Sequence, residues 1–124
     1  MILVDTLIWI DHLRSGDHRL VSLLERGEVL SHPSVVGEVG LGSLRQRGAI
    51  IESLQALPMA VVAADDEVML LIEQHRLFGR GIGWIDAHLL ASARLTPGAR
   101  LWTNDKRLSA LAQTLGVAAS LSRH

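Results

Sequence analysis

Ile2-Leu3-Val4-Asp5-Thr6-Leu7-Ile8-Trp9-Ile10 is the stretch that decides the fold. Ile2–Val4 is a short apolar run and reads as a buried strand, and Thr6 is placed to cap a helix running through Ile10 and Leu13. The same alternation recurs outward from this stretch. Leu20, Val21, Leu23 and Leu24 mark a second helix that stops at Gly27, and Val29–Ser31 is a short strand. Pro33 suits a first helical turn; Val35, Val36, Val39, Leu41 and Leu44 carry that helix to Gly48, and Ala49–Leu57 forms another. Pro58 breaks the chain before a third strand, Met59–Ala63. Val68, Leu71, Ile72, His75 and Phe78 keep helical spacing up to Gly79, and Gly83–Leu95 is a further helix. Thr96-Pro97-Gly98 turns the chain into a fourth strand, Arg100–Thr103. Leu108, Leu111, Ala112 and Leu115 define the last helix, and Val117–Ala119 offers a fifth strand. The pattern predicts an α/β sandwich, a mostly parallel central sheet of four or five strands flanked by helices. Ligands of such sheets gather beyond the carboxyl ends of the strands.

The 124 residues suffice for one core, so residues 1–124 are expected to form a single domain. A hydrophobic fraction of 48% with 20% charged residues excludes disorder. Twelve Lys and Arg against thirteen Asp and Glu give a net charge of -1, so bulk charge supplies no affinity for nucleic acid. Cys is absent, which removes disulfides, zinc–thiolate sites and thiol catalysis together. The longest apolar run, Met59–Ala64, is far short of the ~20 residues of a membrane helix. Asp5 and Asp11 interrupt the apolar start of the chain, which argues against a signal peptide and for a cytoplasmic protein without membrane contact.

Four acids stand where binary patterning asks for apolar residues. Asp5 follows the first strand inside Met1–Ile10, and Asp105 lies at the carboxyl end of the fourth. Asp86 precedes Leu89, Leu90 and Ala93 at helical spacing, and Glu38 lies between Val35 and Leu41 on an apolar stripe. An unpaired carboxylate in such a place costs several kcal/mol or stays protonated. No arginine neighbours all four, whereas a hard divalent cation, Mg²⁺ or Mn²⁺, takes oxygen ligands and serves them together. Each acid also has a plain structural reading: Asp86 favours a helix dipole, and Asp105 caps the last helix. Capping does not account for Asp5 and Glu38. Asp65-Asp66 reads as a cap for the next helix.

Other chemistry is sparse. His12, His18 and His124 read as exposed, His75 as a core residue, and His88 lies on a different helix face from Asp86. No His-x-His or Glu-x-x-His spacing and no Gly-x-Ser-x-Gly elbow occurs. Gly37, Gly40 and Gly42 lack the Lys-Ser/Thr ending of a phosphate loop, which favours close helix packing. Trp9, Trp84 and Trp102 read as core or interface residues.

Val4-Asp5-Thr6-Leu7-Ile8-Trp9-Ile10, Ser34-Val35-Val36-Gly37-Glu38, Gly83-Trp84-Ile85-Asp86-Ala87-His88-Leu89-Leu90-Ala91 and Leu101-Trp102-Thr103-Asn104-Asp105-Lys106-Arg107-Leu108 together resemble the PIN-domain ribonucleases, and among them the VapC toxins of bacterial toxin–antitoxin pairs. The resemblance implies a PIN-like sandwich and a Mg²⁺-dependent endoribonuclease whose acidic quartet matches Asp5, Glu38, Asp86 and Asp105. It implies a site hydroxyl at Thr103. It also implies a homodimer, inhibited by a small VapB-like antitoxin whose tail covers the acidic pocket.

In this reading the four carboxylates hold one or two Mg²⁺ ions, with Mn²⁺ as a substitute and Asp5 and Asp86 as direct ligands. Metal-activated water then hydrolyses RNA to leave 5′-phosphate and 3′-hydroxyl ends. Glu38 or Asp105 binds metal through water or takes the nucleophile's proton; both assignments stay open. Arg14, Arg45, Arg47, Arg80 and Arg107 are candidates for phosphate contacts. A signalling alternative is a phosphorylation receiver with Asp65 as acceptor and Lys106 beside a Mg²⁺ pocket. That alternative lacks the paired acids after the first strand and leaves Glu38 and Asp86 unexplained.

Overall fold

A computed structural model describes residues 1–121 of the chain. Three parallel strands, β1 (Ile2–Val4), β2 (Val29–Leu30) and β3 (Arg100–Trp102), form a sheet in the order β2-β1-β3. Leu3 of β1 stands opposite Leu30 on one side and Leu101 on the other. Among the described residues seven helices surround the sheet: α1 (Thr6–Ser15), α2 (His18–Glu25), α3 (Pro33–Gly40), α4 (Arg47–Gln55), α5 (Asp65–His75), α6 (Trp84–Leu95) and α7 (Lys106–Thr114).

The parallel α/β architecture agrees with the sequence pattern, but the sheet has three strands and not four or five. Met59 and Ala118, in the segments expected as third and fifth strands, each form a single parallel bridge, to Ser31 and Leu101. Pro58 donates no hydrogen bond, so its carbonyl accepts from Ser31 and the ladder closes with Ala60 N–H on Ser31 O. The next free amide, Val61 N–H, turns away to Thr96 Oγ1 at 2.8 Å. Spatially the order by chain position is third, second, first, fourth, fifth, and the direction of winding changes between β1 and β3. That is the switch point at which doubly wound sheets open a crevice at their carboxyl edge.

One continuous core joins Leu3, Val4, Leu101 and Trp102 of the sheet with Leu20, Val35, Val39, Leu89, Leu90 and Leu108 of the helices. Helix α6 is buried over seven consecutive residues, Ala87–Ala93, as expected of a helix wrapped on all sides. The third helix, expected to run to Gly48, is shorter than the sequence suggests. It stops at Gly40, and the chain turns through Gly42 and through Gln46 in the left-handed region (φ 54°) before α4 begins at Arg47 rather than Ala49. A Cβ on Gly40 would meet Ile51 Cδ1 at 3.0 Å, so this glycine does serve close packing of α3 on α4.

His32, buried at 1% exposure, caps α3: its Nδ1 accepts from Ser34 N–H, which leaves the proton on Nε2 to donate to Ser92 Oγ at 3.0 Å. His75 is exposed rather than in the core and meets Arg94 Nη1 at 2.7 Å. His18 is exposed, and His12 is half-buried with Nδ1 accepting from Asp17 N–H. His124 lies outside the described residues. Asp65 and Asp66 belong to the first turn of α5, whose N-cap residue is Ala64, its N–H donating to Glu67 Oε1.

Candidate active site

The end of β1 puts Asp5 just beyond the carboxyl edge of the sheet, at the switch point. Its N–H donates to Trp102 O at 3.0 Å, which ties it to the end of β3. Its backbone is extended (φ −66°, ψ 154°), so Asp5 takes the capping role expected of Thr6, and the helix begins with Thr6, one position earlier than the sequence suggests. Both carboxylate oxygens are engaged: Oδ1 accepts from Thr6 N–H at 2.8 Å and Oδ2 from Thr103 Oγ1–H at 2.7 Å. Thr103 lies just past β3, and its oxygen in turn accepts from Asp105 N–H at 3.1 Å.

The other three acids approach from three helices. Asp105 is the N-cap of α7, its Oδ1 accepting from Arg107 N–H and Leu108 N–H, both at 2.9 Å. Asp86, in the first turn of α6, accepts from Gly83 N–H at 3.1 Å. The capping readings of these two acids therefore hold beside any catalytic role. Glu38 accepts from Thr6 Oγ1–H at 2.8 Å, so one threonine fastens Asp5 through its amide and Glu38 through its hydroxyl. That bridging role of Thr6 escapes the sequence pattern, because Glu38 is thirty-two positions away in the chain.

Burial differs among the four. Asp5 is buried and Asp86 half-buried, but Glu38 and Asp105 are exposed, against the expectation that all four occupy positions patterned for apolar residues. The buried stripe of α3 is Val35, Val36, Val39 and Gly40, so Glu38 lies beside Gly37 on the outer face, and Leu41, beyond the helix, is 88% exposed. Burial raises the pKa of Asp5; its hydrogen bonds from Thr103 and Thr6 oppose this, while the charges of Glu38 and Asp105 add to it. Burial also raises Asp86, with the Gly83 hydrogen bond opposing and the charges of Asp5 and Asp105 adding. Asp5 is thus repelled by each of the other three acids, and Asp86 by Asp5 and Asp105. Among the described residues none of them forms an ion pair; the ion pairs are Arg19–Asp17 and Arg26–Glu28, and His88 Nε2 meets Asp65 Oδ1.

Carboxylates without a cationic neighbour are the donor set of a hard divalent ion, and Glu38, Asp86 and Asp105 each keep one oxygen outside these hydrogen bonds. Among the described residues no group of three acids or histidines closes on one point. The fit to Mg²⁺ or Mn²⁺ is one of donor chemistry and charge.

The five arginines do not act as one patch. Arg47 Nε donates to Gly40 O at 2.6 Å and so helps end α3. Arg14 and Arg45 line a cleft of about 360 Å³ with Ile10, Leu13 and Leu44. Arg107 packs its guanidinium against Gly81, in the turn leading to α6, and Arg80 is exposed on the same turn. Asp65, the acceptor of the receiver alternative, pairs instead with His88 Nε2 at 3.0 Å. Trp84 is 44% exposed, whereas Trp9 and Trp102 are buried.

Residues 2–113 match the family model described as the PIN domain. The chain is 51% identical over 118 residues to "Ribonuclease VapC32" of Mycobacterium tuberculosis, in both strain CDC 1551 / Oshkosh and strain ATCC 25618 / H37Rv, covering 95% of this chain and 95% of each relative. No solved structure gives a significant match. The four acids lie within the matched span, at the switch point of a parallel sheet, and the chain belongs to the PIN-domain family as a VapC-type ribonuclease.

Proposed function

We propose that this protein is a metal-dependent endoribonuclease, the toxin of a toxin–antitoxin pair, whose catalytic residues are Asp5, Glu38, Asp86, Asp105 and Thr103. The observation that carries this reading is the repulsion of Asp5, at the end of β1, by Glu38, Asp86 and Asp105, none of the four ion-paired among the described residues. The VapC32 relatives support the substrate class through their printed name. The receiver alternative is not favoured, since Asp65 stands apart from the quartet and is paired with His88.

Asp5 and Asp86 are the residues to hold Mg²⁺ or Mn²⁺ directly, with Glu38 and Asp105 holding it directly or through water. When bound, the ion supplies neutralising charge and Lewis acidity towards water and the scissile phosphate. Thr103 and Thr6 position the Asp5 carboxylate and favour its ionised form against burial, by donating to its two oxygens. Glu38 and Asp105, both exposed, are placed to accept the proton that the attacking water releases. Until charge is neutralised the acids repel RNA, so metal binding controls substrate binding as well as chemistry. Arg107 and Arg80, on the turn before α6, are the phosphate contacts nearest the quartet in this reading; Arg14 and Arg45 flank a separate cleft and Arg47 is engaged by Gly40.

The same reading makes residues 1–124 one PIN-like domain that works in the cytoplasm as a homodimer, inhibited by a small VapB-like antitoxin. No helix among the described residues is long and apolar enough to cross a membrane. Incubating the purified protein with labelled RNA tests the proposal. Cleavage is expected with Mg²⁺ or Mn²⁺, lost in EDTA and leaving 5′-phosphate and 3′-hydroxyl ends. A 2′,3′-cyclic phosphate formed in the presence of EDTA overturns it.

A further inference from the structure

We infer that a polar cleft beside the acidic quartet, lined by Gly16, Asp17, His18, Arg19 and Asn104, seats an unpaired base of the RNA next to the scissile phosphate, with Asn104 reading its edge. The inference rests on the ribonuclease reading above and adds where sequence preference arises.

Position comes first. Asn104 is the residue between Thr103, which holds Asp5, and Asp105, which belongs to the quartet. A strand of RNA whose phosphate lies at the acids must place a neighbouring nucleotide within reach of this cleft. Its volume is about 430 Å³, within the ordinary range of ligand pockets.

Chemistry then selects a base over a phosphate. Arg19 is the cation of the cleft, but Asp17 neutralises it: Nε donates to Oδ1 at 3.2 Å and Nη2 to Oδ2 at 2.9 Å. The guanidinium carbon lies 5.0 Å from the centroid of the Trp102 ring, so the group is held flat by an aromatic on one side and a carboxylate at its edge. A charge-compensated, immobilised guanidinium is a poor anchor for a phosphate and a good plane for stacking a nucleobase. Asn104 is exposed, and the hydrogen bonds of its stretch run through Thr103 and Asp105, leaving the Asn104 amide unengaged among the described residues. An amide offers one acceptor and two donors, the pairing set for the edge of an unpaired base.

The test uses the full chain with Mn²⁺ and a pool of short RNAs randomised around the cut, with product ends sequenced. Wild-type protein is expected to prefer particular bases at one position flanking the cut, by about 5- to 10-fold, the low end of what one base-edge contact supplies. Asn104→Ala should flatten that position alone, with Mn²⁺ affinity by calorimetry within about twofold of wild type, as expected when no metal ligand is touched. Arg19→Lys, which keeps the charge beside Asp17 but loses the plane, should raise KM more than it lowers kcat. Cleavage by Asn104→Ala with an unchanged base preference, or wild-type cleavage with no flanking preference, overturns this inference and leaves the nuclease reading intact. An absence of any metal-dependent cleavage by the wild type overturns the nuclease reading and the inference with it.

Discussion

The Thr103 hydroxyl donates to Asp5 Oδ2 at 2.7 Å and joins two residues ninety-eight positions apart in the chain. It opposes the effect of burial on Asp5, favouring the charged form that a divalent ion requires. Thr103→Val keeps the shape and removes the donor. Its expected effect is a loss of about 10- to 100-fold in metal affinity or cleavage rate, the usual cost of a missing partner to a ligand side chain. Isothermal titration with Mn²⁺ and single-turnover cleavage check it.

Asp5→Asn and Asp86→Asn are each expected to lower cleavage by at least about 100-fold while the fold survives. Both acids have folded-state pKa values above the ordinary 3.8, so their ionised forms are disfavoured by the fold. Stability is lost as pH rises from 3.8 through the raised value and stays lost at neutral pH. Replacing either acid by its neutral isostere should therefore raise the Tm of the metal-free protein at pH 7, measured by calorimetry. Wild-type rates together with an unchanged Tm would remove both from the site.

Thr6→Val removes the hydroxyl that holds Glu38 but leaves the amide that holds Asp5. The expected loss in cleavage is about 10-fold, and Thr6→Ser should restore most of it. Equal losses in both variants would assign Thr6 to packing alone.

His32 has a pKa below the ordinary 6.5, because burial, and next the charge of nearby His88, disfavours its protonated form. The unfolded chain takes up a proton near pH 6.5 that the folded one resists, so this contribution to stability is complete above 6.5 and falls away as pH drops below it. Asp5 and Asp86 act in the opposite sense, so the comparison must be against a variant. His32→Asn should flatten the decline of Tm between pH 7.5 and 5.5. Ser92→Ala, which strands the Nε2 proton of His32, should cost about 1–3 kcal/mol in urea unfolding at pH 7.5.

Gly81 has φ +81°, and a Cβ there would stand 2.5 Å from Arg107 Nη1. Gly81→Ala strains the left-handed backbone by roughly 1–2 kcal/mol and displaces the Arg107 guanidinium. Chemical denaturation should show the loss of stability, and RNA cleavage should show a raised KM with kcat less affected. A Gly81→Ala protein with the wild-type KM would separate Arg107 from RNA binding.

The alternation of apolar runs and helical periods was enough, read along the chain, to identify a parallel α/β sheet, and the motifs around Asp5, Glu38, Asp86 and Asp105 were enough to name the family. Those features are local: a strand end, a helix start and a spacing of side chains are written within a few consecutive residues. What tertiary structure alone decided is long-range. Whether Met59 and Ala118 extend the sheet as strands or as single rungs depends on which partners their neighbours' amides meet, and Val61 meets Thr96 instead. Glu38 looks buried by spacing and is exposed because packing turns Val35, Val36, Val39 and Gly40 to the core and leaves Gly37 and Glu38 outside. The roles of Thr6 and Thr103 follow from residues 32 and 98 positions distant, and the approach of Arg19 to Trp102 brings the start of α2 to the end of β3. Local propensity carries no term for such contacts; they exist only once packing has brought the elements together.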